Sequence, residues 1–295
     1  MRARHFHIVW GMVICLTAVT VGLLPGSEPP QIIDREVLIE TERFPESPVV
    51  VIGSSLMRYA VPATGSATDS LLDDGRSHVR LALSTITEKE TLTALARVLA
   101  PPVECVFVEI QPLGMDFSYQ RTPDRFFERT LLHIAVDRIR LFSRNSKREL
   151  GRKSGWRSTM DLQPREQRSM TEEPSKLDAT FQTSSVALRQ VYPIHLRSPR
   201  ELDRLQQLLD KANEQHIKIV LVAPPRSQTA VNYIGDDFAE SLERHFQNLA
   251  RQLDLPLFQP ARSWPDEFFI DHAHMNRRGR ERFCHELAKW SSARS

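Results

Sequence analysis

Val49-Val50-Val51-Ile52-Gly53-Ser54-Ser55-Leu56-Met57-Arg58 is the stretch that decides the fold. Four β-branched residues in succession read as a strand buried on both faces, and such strands belong to parallel sheets covered by helices on each side. Gly53-Ser54-Ser55 then breaks the run into a tight turn. In an open parallel sheet that turn lies at the carboxyl edge, where α/β folds keep their ligand sites. The competing reading is that the two serines only cap the following helix.

Downstream the same pattern recurs. Second, third and fourth strands are expected over Ser77–Leu83, Val103–Ile110 and Ile217–Val222, with a short fifth at Leu257-Phe258. Amphipathic helices fall between them: Glu88–Ala100, stopped by Pro101-Pro102; Thr122–Phe142, opened by Thr122-Pro123-Asp124; a helix led by Ser198-Pro199-Arg200-Glu201, read as a capping box; Phe238–Leu253; and Arg277–Trp290. This order predicts an α/β fold: a three-layer α/β/α domain around a central parallel sheet of about five strands, flavodoxin-like, joined by right-handed crossovers. Strand ends one and five then open on the same edge.

At the far end stands Asp271-His272-Ala273-His274-Met275-Asn276-Arg277-Arg278-Gly279. An aspartate three residues before a histidine reaches the near ring nitrogen and leaves the far one to take a proton, which is the base half of a serine-type site. Asn276 is placed to cap the last helix. A metal site from Asp271, His272 and His274 lacks a further ligand cluster, and His272 reads as a surface histidine. No metal or cofactor is therefore expected.

Gly-Ser-Ser after the first strand, with Asp-x-x-His-x-Asn-x-x-Gly before the last helix, resembles the SGNH (GDSL-type) hydrolase superfamily. The Gly-Ser-Ser variant is similar to a membrane-anchored branch that includes the teichoic acid D-alanyl transfer protein and relatives of alginate acetylation proteins. The resemblance implies Ser55 as nucleophile, His274 as base and Asp271 as its partner; Ser54 stands where the family often has aspartate, and is the alternative nucleophile. The family also supplies a glycine after strand two and an asparagine after strand three as oxyanion donors. Here Ser84-Thr85 and Gln111-Pro112-Leu113-Gly114 stand instead, so Gln111, Ser84 and Arg226, the last on the Pro224-Pro225-Arg226 turn, are the candidate oxyanion and substrate contacts. The plainer reading of Arg226, and the one its position favours, is an exposed loop arginine.

Composition sets outer bounds. The 295 residues carry a net charge of +2, which gives no global attraction to nucleic acid. Cys15, Cys105 and Cys284 have no metal spacing; a Cys105–Cys284 disulfide and free thiols both stay open. Arg2 and Arg4 precede an apolar run from Ile8 to Leu24, then Pro25-Gly26-Ser27. Residues 1–30 are thus expected to form a single-pass signal-anchor with the body outside the cytoplasmic membrane; secretion after signal cleavage is the alternative. Residues 31–47 read as a spacer and 48–295 as the domain, with a basic insertion at about 143–185.

Two function classes follow. One is a serine esterase or O-acyltransferase acting through an acyl-enzyme. Its resemblance implies acylated cell-envelope or secreted polysaccharide as substrate and a polytopic membrane acyl donor as partner. The other is a catalytically weak or inactive binding module on the same fold, for polysaccharide or a membrane acyltransferase.

Overall fold

The computed structural model describes residues 39, 47–64, 71, 75–83, 86–117, 172–184, 188 and 194–294. The expected signal-anchor, nearly all of the spacer, the helix at 122–142, Ser84, and the insertion up to residue 171 lie outside the described residues. The chain divides into two compact units, Met1–Glu42 and Arg43–Ser295. Only Ile39 of the first is described, and every element below belongs to the second.

β1 (Val49–Gly53) passes into the short helix α1 (Ser55–Ala60), and β2 (His78–Ala82) into α2 (Glu88–Val98). β3 (Cys105–Glu109) turns through the one-turn helix α3 (Gln111–Gly114) into β4 (Met115–Phe117), which pairs antiparallel with β5 (Ile194–Leu196). After α4 (Leu202–Glu214) come β6 (Lys218–Val222), β7 (Arg226–Ser227), α5 (Gln228–Ile234), α6 (Asp236–Gln252), β8 (Leu257–Phe258), β9 (Ser263–Trp264) and α7 (Arg277–Ser292). The central sheet has five strands in the order β2-β1-β3-β6-β8, every pair parallel. The expected five strands are the five observed. β7 and β9 form a separate two-stranded parallel ribbon.

All five residues of β1, β2 and β3 are buried, as strands covered on both faces require. Alternation divides them. Val49, Val51, Phe107, Val220 and Val222 face a cluster with Met57 of α1, Phe258, Trp264, and Phe283 and Leu287 of α7. On the opposite face α2 packs on β1, and α4 packs on β6 and α2. Helices therefore cover both sides. From β1 the chain goes to β2 on one side, and from β3 to β6 on the other. The carboxyl ends of β1 and β3 thus flank the point where strand order reverses, the place such sheets bind ligands.

Three local expectations are corrected. Ser198-x-x-Glu201 forms no capping box: α4 begins at Leu202 without a side-chain cap, because the Glu201 N–H donates to Glu88 Oε1 at 2.9 Å. A capping box forms instead at Thr87-x-x-Glu90, ahead of α2, with Glu90 N to Thr87 Oγ1 at 3.2 Å and Thr87 N to Glu90 Oε2 at 2.8 Å. Within the insertion expected at 143–185, residues 172–184 lie against the domain: Leu177 is buried and Phe181 packs on the core cluster. Cys105 and Cys284 are not bridged to each other, and the Cys284 thiol donates to the Ala60 carbonyl at 3.4 Å.

Candidate active site

The turn after β1 is built around a buried carboxylate. Glu109, last residue of β3, accepts the Ser54 N–H on Oε2 at 2.6 Å and the Ser54 hydroxyl on Oε1 at 3.0 Å. Gly53 makes this approach feasible: a Cβ there would stand 2.7 Å from Glu109 Oε2 and 2.3 Å from Met57 Cγ. Ser54 is also the N-cap of α1, its Oγ accepting from the Leu56 N–H at 3.1 Å. Its hydroxyl is thereby committed as donor to Glu109 and as acceptor to the helix. Ser55, first residue of α1, is left to face outward, with Oγ 2.9 Å from His274 Nε2. As a first-turn residue its N–H has no intrahelical partner.

The base side is a tight loop. Asp271 Oδ1 accepts the Ala273 and His274 N–H groups, each at 2.9 Å, and Oδ2 lies 2.8 Å from His274 Nδ1. The Ile270 N–H donates to the His274 carbonyl at 2.8 Å and closes the loop. Burial raises the Asp271 carboxyl, but the His274 hydrogen bond and charge, with the two amides, outweigh it and hold the pKa at about 2. A carboxylate at Nδ1 fixes the proton there, so Nε2 is the bare nitrogen that accepts from Ser55 Oγ.

Asn276 caps α7 through the Gly279 N–H at 3.0 Å and donates from Nδ2 to the Glu267 carbonyl at 2.7 Å, tying the helix start to the turn before Asp271. Gly279 is required by the same contact: a Cβ there would lie 2.1 Å from the Phe268 carbonyl oxygen. Tyr59, one helical turn after Ser55, sets its ring 4.6 Å from that of His274. Burial, foremost, raises the Tyr59 pKa, so the phenol stays protonated there.

Ser55 and the Asp271–His274 pair, from opposite ends of the domain, meet in one hydrogen-bonded line. The other candidates do not join it. Gln111 is buried and lines a small cavity with Pro224, Arg226 and Phe246, its Oε1 without a hydrogen-bond partner among the described residues. Ser84 lies outside the described residues. Arg226 is no exposed loop arginine: it is buried in β7, where its charge reaches Glu109 and His272. His272 is likewise buried rather than at the surface, and burial lowers its pKa. Its carbonyl accepts the Ser227 hydroxyl at 3.1 Å. Two residues the sequence reading passed over belong to the site. Glu109 carried a signal, a lone acid ending an otherwise apolar strand; Tyr59 carried only its i+4 spacing from Ser55.

No family model matches the chain, and no curated protein matches it. Among solved structures it is similar to a GDSL-like lipase from Bacteroides thetaiotaomicron, at 11% identity over 83% of this chain and 87% of that one, with a TM-score of 0.37. A carbohydrate esterase family 2 enzyme with a carbohydrate-binding domain, from Myceliophthora fergusii, is similar at 10% identity over 86% of this chain and 68% of that one, TM-score 0.39. The tie to the SGNH pattern therefore rests on this chain's own residues, whose two terminal motifs come together at the carboxyl edge of the sheet.

Proposed function

We propose that the chain is an SGNH-type serine esterase or O-acyltransferase, and the observation that carries this is the unbroken line from Ser55 Oγ through His274 to Asp271. His274 Nε2 takes the Ser55 proton as Oγ attacks the acyl carbonyl. The carbonyl oxygen becomes an oxyanion beside the Ser55 N–H. His274 then returns the proton to the leaving alcohol, which leaves an acyl-enzyme; water or a sugar hydroxyl, deprotonated by the same nitrogen, resolves it. Asp271 keeps the imidazole oriented and offsets its positive charge during both steps.

Resemblance to the anchored branch supports acylated cell-envelope or secreted polysaccharide as substrate, with a polytopic membrane protein as acyl donor. The apolar run from Ile8 to Leu24 with its basic flank supports a membrane-anchored chain acting outside the cytoplasm. Among the described residues no helix is long and apolar enough to cross a membrane.

The test is a fluorophosphonate probe followed by peptide mapping. Labelling is expected on Ser55, retained in Ser54→Ala and lost in His274→Ala. A folded protein that takes no label at Ser55 overturns the enzyme reading in favour of a binding module.

A further inference from the structure

α1 carries the nucleophile yet has only six residues, too few to hold itself together in water. Its last carbonyls need donors, and two buried arginines supply them. Arg80 of β2 donates from Nη1 to the Arg58 and Val61 carbonyls at 3.0 and 2.6 Å. Arg280 of α7 donates from Nε to the Tyr59 carbonyl at 3.0 Å and from Nη2 to that of Arg58 at 3.3 Å. Two cations at a helix C-terminus suit its dipole but repel each other, and both are nearly sealed from water. Glu173 is the counter-charge: its Oε2 lies 2.5 Å from Arg280 Nη1 and 3.9 Å from Arg80 Nη1, while Oε1 accepts the Ala63 N–H at 2.7 Å. The Glu172 carbonyl takes Arg80 Nη2 at 2.9 Å.

Beyond Glu173 the same segment reaches the base. The Leu177 carbonyl accepts the Arg277 N–H at 2.9 Å, and Asp178 forms a two-pronged ion pair with the Arg277 guanidinium at 2.7 and 3.0 Å. The Gln182 N–H donates to the Ile270 carbonyl at 2.8 Å, one residue before Asp271. One short run of chain thus grips the end of the nucleophile helix, the helix start after His274 and the residue before Asp271.

We propose that residues 172–184 are a strap that sets the two halves of the triad against each other, with Glu173 as its positioning residue. The catalytic consequence rests on the triad reading above; the contacts do not. Loss of the Glu173 charge breaks its ion pair with Arg280 and loosens the hold of Arg280 on the Tyr59 and Arg58 carbonyls, so α1 shifts and the Ser55–His274 contact lengthens.

The test replaces the nucleophile with a thiol. In Ser55→Cys, iodoacetamide alkylation (thiolate sulfur displaces iodide) reports the thiolate–imidazolium pair as a reactive limb below the ordinary thiol pKa. That limb should vanish in Ser55→Cys/His274→Ala. Adding Glu173→Gln should slow alkylation about tenfold or more at about pH 6, as small misplacements of reacting groups do, with the melting transition still cooperative. Glu173→Asp should recover part of the rate. Gln182→Pro, which removes the donor to Ile270 at the other end of the strap, should move the same limb and decides the matter if Glu173→Gln does not fold. A His274-dependent limb that neither strap variant changes overturns the strap alone. A Ser55→Cys profile indifferent to His274→Ala overturns the triad reading and the strap's role with it.

Discussion

Glu109 sits under the nucleophile turn with two opposed effects. Burial pushes its pKa up to about 7 from an ordinary 4.5, although both Ser54 hydrogen bonds and the charges of Arg226 and His274 pull the other way. Between those two values the folded state holds a proton that the unfolded state has released, so stability falls as pH rises through this window. The shift corresponds to about 3 kcal/mol at most. Glu109→Gln should therefore raise the melting temperature at pH 8 and change it little at pH 5, as read by thermal denaturation at both pH values. The same change removes a negative charge near the His274 imidazole and weakens the two bonds that set Ser54. Fluorophosphonate labelling of Ser55 at pH 8 is expected to drop about tenfold, as weakening hydrogen bonds to a charged group worth about 1.5–3 kcal/mol each would produce. A variant both more stable and as reactive as the parent would show that the carboxylate has no part in aiming the turn. Asp271→Asn tests the other carboxylate. Its backbone bonds through Oδ1 can persist, but the amide cannot hold the Nδ1 proton, and the rate should fall about 10⁴-fold with little loss of folding.

Elements place these residues, and α7 shows how. Alanine is worth about 1 kcal/mol more than glycine inside a helix, so propensity alone predicts that Gly279→Ala stabilises. Sterics predict the reverse, because the Phe268 carbonyl 2.1 Å from the new Cβ is backbone and cannot step aside. Overpacking of this kind costs about 1–3 kcal/mol. A lowered melting temperature, together with slower Ser55 labelling as α7 drags the His274 loop, is the expected result. This also explains what was legible from sequence. The inner strands were, since β1 is an unbroken β-branched run and β3 is apolar up to its last residue, and so was the Asn276 cap, whose bond to the Gly279 N–H spans only three residues. Capping boxes were not: Ser198-x-x-Glu201 and Thr87-x-x-Glu90 look alike locally, and the distant Glu88 carboxylate decided between them by taking the Glu201 amide. Arg226 and His272 were misplaced for the same reason: Arg226 lies in β7, which pairs with β9 as a two-residue ribbon with no periodic signal, and the His272 carbonyl takes the Ser227 hydroxyl of that strand.

For the whole molecule, the question is whether the site needs anything before Arg43. The unit from Arg43 to Ser295 contains the full sheet, both covering helix layers and every triad atom. Among the described residues its core cluster runs from Val49 to Leu287. The apolar run at Ile8–Leu24 is seventeen residues long, at the short end of what spans a bilayer of about 30 Å. Its proposed task is attachment, while folding and reactivity belong to the second unit. A chain begun at Gln31 should then stay in the supernatant after ultracentrifugation, melt in one cooperative transition and label at Ser55 at the full chain's rate. The full chain should sediment with membranes and resist an alkaline wash, which strips proteins held by charge but not those held by an apolar span. If the shortened chain folds but loses its label, the N-terminal unit contributes to the site itself. If the full chain washes off, the anchor is wrong and the secreted alternative takes its place.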